Sequence, residues 1–136
     1  EKIILPSSLT SIKSYAFNNC ESLKEITIPN GVVSIENCSF GGCSSLIQIT
    51  IPSSVTSIDS SSFCYCSSLV QITIPSSVTS MANSCFISCT SLLQIEIPDS
   101  VKKIGNSCFD NCTSLVNASI SSSIKMIDDG LFQFCS

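Results

Sequence analysis

The sequence predicts a solenoid of stacked 23-residue coils built mainly from short parallel strands, and three observations predict it. Pro6, Pro29, Pro52, Pro75 and Pro98 recur every 23 residues. Phe17, Phe40, Phe63, Phe86, Phe109 and Phe132 keep the same period without an insertion, as do Cys20, Cys43, Cys66, Cys89, Cys112 and Cys135. Apolar columns run beside them: Leu23, Leu46, Leu69, Leu92 and Leu115; Ile26, Ile49, Ile72 and Ile95; Ile28, Ile51, Ile74, Ile97 and Ile120; Val32, Val55, Val78 and Val101; and Ile35, Ile58, Met81, Ile104 and Ile127. With fixed apolar positions at a fixed period, each unit covers its neighbour's hydrophobic face, so no coil is stable alone.

Each element of a coil follows from its residues. Leu46-Ile47-Gln48-Ile49-Thr50-Ile51 puts Ile49 and Ile51 on one face and Gln48 and Thr50 on the other, the period of a strand with one buried side. Stacking pairs these strands in parallel about 4.8 Å apart, which makes a stack roughly 25–30 Å long. Pro52 ends the strand because it donates no ladder hydrogen bond, and Ser53-Ser54 supplies turn chemistry. Val55-x-x-Ile58 then lies along the opposite wall as a candidate second strand. The stretch through Phe63 to Cys66 is too short for a full helix and reads as a turn or one turn of 3₁₀.

The strings LxxIxIPxxVxxI and SFxxCxxL, repeated along essentially the whole chain, resemble the BspA-like leucine-rich repeat family. The resemblance implies a leucine-rich repeat solenoid of the α/β horseshoe type, mostly β, right-handed and curved, with no long helices. It also implies part of a long surface-exposed or secreted protein of bacteria or of parasitic and gut-dwelling protists, associated with adhesion to host proteins, matrix or other cells. The Ser-rich IPSSVTSI units look more like the protist members.

Composition narrows the function. Charged residues are 12% of the chain, every basic one is Lys, and the net charge is −4, so no cationic surface awaits a nucleic acid. No apolar run approaches the roughly 20 residues that span a bilayer. The N-terminal EKIILPSSLT lacks the apolar segment of a signal peptide, so a targeting signal would lie outside this segment. With no His and no Arg, the commonest general base and the bidentate anion clamp are missing. The six Lys scatter and Asp128-Asp129 reads as a solvated coil edge; no catalytic constellation, cofactor site or metal site is expected.

Ten cysteines suggest first a disulfide framework. Six of them share one column, however, and should point the same way, whereas a disulfide needs two Cβ vectors turned toward each other. Buried thiols acting as small hydrophobes are the favoured reading. Zinc held by Cys85, Cys89, Cys108 and Cys112 is the alternative. Cys85 and Cys108 sit at a small-residue packing position shared with Ala16, Ser39 and Ser62. Cys64, at a position held elsewhere by Asn18, Gly41, Ile87, Asp110 and Gln133, reads as exposed and therefore as the most reactive thiol.

The outward strand positions form two columns, Glu25, Gln48, Gln71, Gln94 and Asn117 beside Thr27, Thr50, Thr73, Glu96 and Ser119. On a curved solenoid this extended face is the usual recognition surface, so Gln48, Thr50, Gln71, Thr73, Gln94, Glu96 and Asn117 are the candidate partner-binding residues. The alternative is an amide ladder that only stabilises the stack. Asp59 is the only charge from Asn37 to Gln94, so recognition would rest on hydrogen bonds and shape. The column Lys24, Ile47, Val70, Leu93 and Val116 lies between inward positions; it reads as flank packing if buried and as an apolar contact stripe if exposed. Asn37-Cys38-Ser39, Asn111-Cys112-Thr113 and Asn117-Ala118-Ser119 match the glycosylation acceptor pattern. A glycan on Asn117 would cover the candidate face.

The expected function is a non-catalytic protein-binding or adhesion module for a protein or matrix ligand, its adhesive role and its extracellular or cell-surface location being what the resemblance implies. The alternative is a structural element that self-associates through its coil ends into filaments. Residues 1–136 read as one solenoid of about six repeats excerpted from a longer array, since neither end carries a polar capping unit.

Overall fold

The computed structural model describes residues 1–135 of the chain. Odd-numbered strands open the coils: β1 (Lys2–Ile4), β3 (Glu25–Thr27), β5 (Gln48–Thr50), β7 (Gln71–Thr73), β9 (Gln94–Glu96) and β11 (Asn117–Ser119). Even-numbered strands form the opposite wall: β2 (Ser11–Ile12), β4 (Ser34–Ile35), β6 (Ser57–Ile58), β8 (Ser80–Met81) and β10 (Lys103–Ile104). The first set makes a six-stranded parallel sheet and the second a five-stranded parallel sheet, each ordered coil by coil. Register is like over like: Ile26 sits beside Ile49, Ile49 beside Ile72, and Ile35 beside Ile58. The candidate second strand at Val55-x-x-Ile58 is therefore real, though only two residues long.

A third wall closes each coil without helix or strand. In residues 15–20 the amides alternate their acceptors. Those of Tyr15, Phe17 and Asn19 donate to Asn37, Ser39 and Gly41 of the next coil, while those of Ala16, Asn18 and Cys20 donate within the coil to Lys13, Tyr15 and Phe17. A helix would take all of these N–H groups internally. Two residues per coil in the left-handed region, such as Tyr15 and Asn19, or Ser84 and Ser88, keep the chain from propagating helically. The described residues accordingly hold no helix, so this is a β-solenoid whose outer wall is turns rather than the helical wall of an α/β horseshoe.

The core is the set of columns laid side by side. Phe40, Phe63, Phe86 and Phe109 are wholly buried, and successive rings stack nearly parallel from Phe17 to Phe132 with centroids 5.2–5.6 Å apart. That is the offset-stacked range for aromatic pairs. The buried Leu, Ile and Val columns join this ladder in one continuous core cluster.

The sixth coil departs from the pattern. Ile127, which belongs to the inward Ile35 column by period, is 57% exposed, and no strand forms at residues 126–127. Ser121 stands where other coils have Pro, and this turn is held by Asp99. Its Oδ1 accepts from the Ser122 amide at 3.1 Å, the Ser122 hydroxyl at 3.0 Å and the Ser121 hydroxyl at 3.4 Å.

Candidate binding face

The outward side of the six-stranded sheet presents the candidate residues as two straight columns. Strand alternation turns Ile49, Ile72 and Ile95 inward, so Gln48, Thr50, Gln71, Thr73, Gln94, Glu96 and Asn117 all stand exposed. The parallel register places Gln48 beside Gln71, Thr50 beside Thr73, Gln71 beside Gln94 and Gln94 beside Asn117. The described residues contain no side-chain hydrogen bond linking Gln48, Gln71, Gln94 and Asn117, so the amide ladder is not formed and these groups face solvent.

Beside them the undecided apolar column is exposed. Ile47 is 51% accessible, Leu93 47% and Val116 77%, with Val70 at 37%. The reason is a parity break. Leu46 and Ile49 both face inward three residues apart, so Ile47 and Gln48 must both point outward. Flank packing is thereby replaced by an apolar stripe alongside the amides. A depression of about 540 Å³ is lined by Gln71, Thr73, Gln94, Glu96, Asn117 and Ser119 with the flanking Pro75 and Pro98. A second of about 320 Å³ lies between the stripe and the amides, lined by Val70, Leu93, Val116, Gln71, Gln94 and Asn117. Gln48 and Thr50 lie outside both.

A family model described as a BspA-type leucine-rich repeat region matches the chain in six copies, over residues 1–116 and 40–136. The chain belongs to the BspA-type leucine-rich repeat family. Among solved structures it is similar to the T. pallidum leucine-rich repeat protein TpLRR, at 32% identity and a TM-score of 0.96 over 98% of this chain and 65% of that one. It is also similar to the pneumococcal vaccine antigen PcpA, at 27% identity and a TM-score of 0.77 over 90% of this chain and 31% of that one. A leucine-rich cell surface protein of Faecalibacterium prausnitzii matches at 28% identity and a TM-score of 0.62 over 99% of this chain and 45% of that one. The BspA-type chain thus spans less than two thirds of each of these proteins. No curated protein matches it.

The column cysteines of this family member have a defined task. Cys43, Cys66, Cys89, Cys112 and Cys135 each donate Sγ–H to the carbonyl of a Phe in the preceding coil, at 3.1–3.3 Å. Those carbonyls already accept a turn N–H within their own coil, so the thiol satisfies a second lone pair in a dry interior. Burial pushes the Cys43 and Cys112 thiols up to about 12 and those of Cys66 and Cys89 well above the ordinary thiol value. A neighbouring Cys108 thiol and burial together raise Cys85, which donates to the carbonyls of Ala82 and Asp59. All ten cysteines are free thiols, and no three metal-ligating side chains converge among the described residues.

Cys64 is not the exposed thiol that its variable position suggested. It is only 8% accessible, and burial pushes its thiol up to about 11. The cause lies one coil earlier at Gly41, where a Cβ would stand 2.9 Å from the Cys64 sulfur. The bare glycine backbone gives Cys64 room to fold down against the stack. Of the glycosylation acceptors, Asn117 is exposed on β11, whereas the Asn111 amide donates to the Ser88 hydroxyl at 3.2 Å.

Proposed function

We propose that this chain is a non-catalytic protein-binding or adhesion module of a surface or secreted protein, and that its ligand lies across Gln48, Thr50, Gln71, Thr73, Gln94, Glu96 and Asn117. One observation carries the reading. Two columns of exposed polar side chains, whose amides are not consumed by one another, share one depression, and the amide column shares a second with an exposed apolar stripe beside it. Uncommitted hydrogen-bonding groups beside desolvatable apolar surface are what a protein ligand requires. The surface location rests on family membership and on a neighbour described as a cell surface protein.

The test compares two double variants of the chain. Gln71→Lys with Gln94→Lys disrupts the face, while Thr10→Lys with Thr56→Lys adds the same charge at exposed positions elsewhere. Binding is measured to immobilised matrix glycoproteins and to epithelial cell monolayers. The face variant is expected to lose at least about tenfold in affinity with the control unchanged, the cost of one or two desolvated hot-spot contacts. Equal behaviour of the two variants would refute the assignment.

A further inference from the structure

Most thiols in this molecule are chemically silent. Five of the six column thiols, Cys43, Cys66, Cys89, Cys112 and Cys135, point one way along the stack, each taken up by a Phe carbonyl, and the wholly buried Cys85 and Cys108 are closed to any dissolved oxidant. Cys38 and Cys64 differ. Both lie outside the column, in adjacent coils, and the Cys64 sulfur and the Cys38 carbonyl oxygen flank one spot, the place a Cβ on Gly41 would occupy, at 2.9 and 3.5 Å. Gly41 creates the contact, since its missing side chain lets the Cys64 sulfur settle beside the Cys38 turn. Cys38 is partly accessible, holds a left-handed backbone with φ of 50°, and donates its thiol to its neighbour Asn37 at 3.2 Å.

We propose that Cys38 and Cys64 are a modification site, a thiol pair that a low-molecular-weight disulfide converts into one cross-link between adjacent coils while the other thiols stay free. The Cys38 thiolate attacks one sulfur of the small disulfide; a mixed disulfide forms and one small thiol leaves. Cys64, after giving its proton to water, attacks the Cys38 sulfur; the Cys38–Cys64 bond forms and the second small thiol leaves. Two protein thiols are oxidised by two electrons and one disulfide is reduced to two thiols, which take up the two protons. Accessibility sets the order, with Cys38 reacting first and Cys64 resolving. Because burial pushes the Cys64 thiol up to about 11, the resolving step should speed up by about tenfold per pH unit below that value.

The test treats the full chain with glutathione disulfide at mildly alkaline pH, alkylates the remaining thiols, and digests with pepsin in acid, where exchange is frozen. The expected map is one Cys38–Cys64 disulfide with eight of the ten cysteines alkylated. Cys64→Ser should stop at a glutathione adduct on Cys38, and Cys38→Ser should give no cross-link. The oxidised protein should also unfold at higher urea concentration than the reduced one, because closing a loop restricts the unfolded chain. A Cys85–Cys108 or column disulfide formed first, an adduct on Cys38 that Cys64 never resolves, or no reaction below denaturing urea would each overturn the proposal.

Discussion

Replacing Phe63 by Ala tests whether the ring ladder holds the coils together. Phe63 is wholly buried, with Phe40 at 5.4 Å on one side and Phe86 at 5.3 Å on the other. Truncating a buried Phe costs about 3–5 kcal/mol. Two stacked neighbours at ~0.5–1.5 kcal/mol each supply ~1–3 kcal/mol of that. Phe17 is only partly buried and stacks on Phe40 alone, so Phe17→Ala should cost about half as much. A domain of this size has about 5–15 kcal/mol in total, and the central variant should surrender a large share of it. Urea unfolding followed by circular dichroism measures the loss, and a double-mutant cycle locates it. Phe63 with Phe86 should couple by ~0.5–1.5 kcal/mol, whereas Phe40 with Phe86, two coils apart, should add within ~0.5 kcal/mol. A cost below about 1 kcal/mol for Phe63→Ala, or equal coupling in both pairs, would refute the nearest-neighbour account.

Two further perturbations probe smaller terms. The Ser62 hydroxyl donates to the carbonyls of Asp59 at 2.6 Å and Glu36 at 3.2 Å, while the equally buried Ser39 hydroxyl in the same column lacks a partner. Ser62→Ala should therefore cost ~1–2 kcal/mol and Ser39→Ala should be neutral or mildly stabilising, and the reverse order in urea melts would contradict the structure. Bonds from the Ser122 hydroxyl and amide, then from Ser121, with the Lys102 charge adding less, hold the Asp99 carboxyl below its ordinary value of 3.8. A depressed folded-state pKa contributes stability that is present above the unfolded value and lost as pH falls through the folded one. The stability gap between the native chain and Asp99→Asn should thus close below about pH 4, and a gap that stays constant from pH 6 to pH 2.5 would show that Asp99 does not secure the sixth coil.

The period made the two sheets, their register and the Phe ladder readable, because a repeat that must cover its own copy leaves each apolar position one place to go. What failed to be readable depended on relations between neighbouring coils or on a break in parity. Cys64 was misjudged because the variability of its column was read along the repeat. The decisive signal was one residue in the coil before, since Gly41 is the column's only glycine and opens space that Asn18 or Asp110 would fill. Ile47 and its equivalents were ambiguous because strand alternation cannot carry Leu46 and Ile49 inward together, and only coordinates show where the extra residue points. The third wall was readable as turn or 3₁₀, but its bonding from coil to coil was not. Its amides alternate between two coils, and no apolar periodicity marks hydrogen-bond direction. Ile127 shows the limit of the period itself, since its column is inward while strands form on that wall, and in the sixth coil none does.

The division of labour between walls bears on how the proposed binding face can vary. Stability resides in columns that look inward or along the stack: rings on rings, thiols on Phe carbonyls, and Ser54 and Ser77 hydroxyls on the carbonyls of Val32 and Val55 at 2.5–2.6 Å. Gln48, Gln71 and Gln94 make none of these bonds, and their loss from the face leaves no buried group unpaired. Substitutions there should lie within about ±0.5 kcal/mol in stability, whereas one inward substitution can weaken three coils at once. A fold built this way lets the outward columns vary coil by coil at nearly constant stability. The passage from Gln48-Thr50 to Gln94-Glu96 and Asn117-Ser119 along this chain is that variation within one molecule. On the proposed reading, specificity is a property of the order in which coils are stacked, and moving one coil's outward pair into its neighbour should transfer ligand contact without a matching change in the urea midpoint.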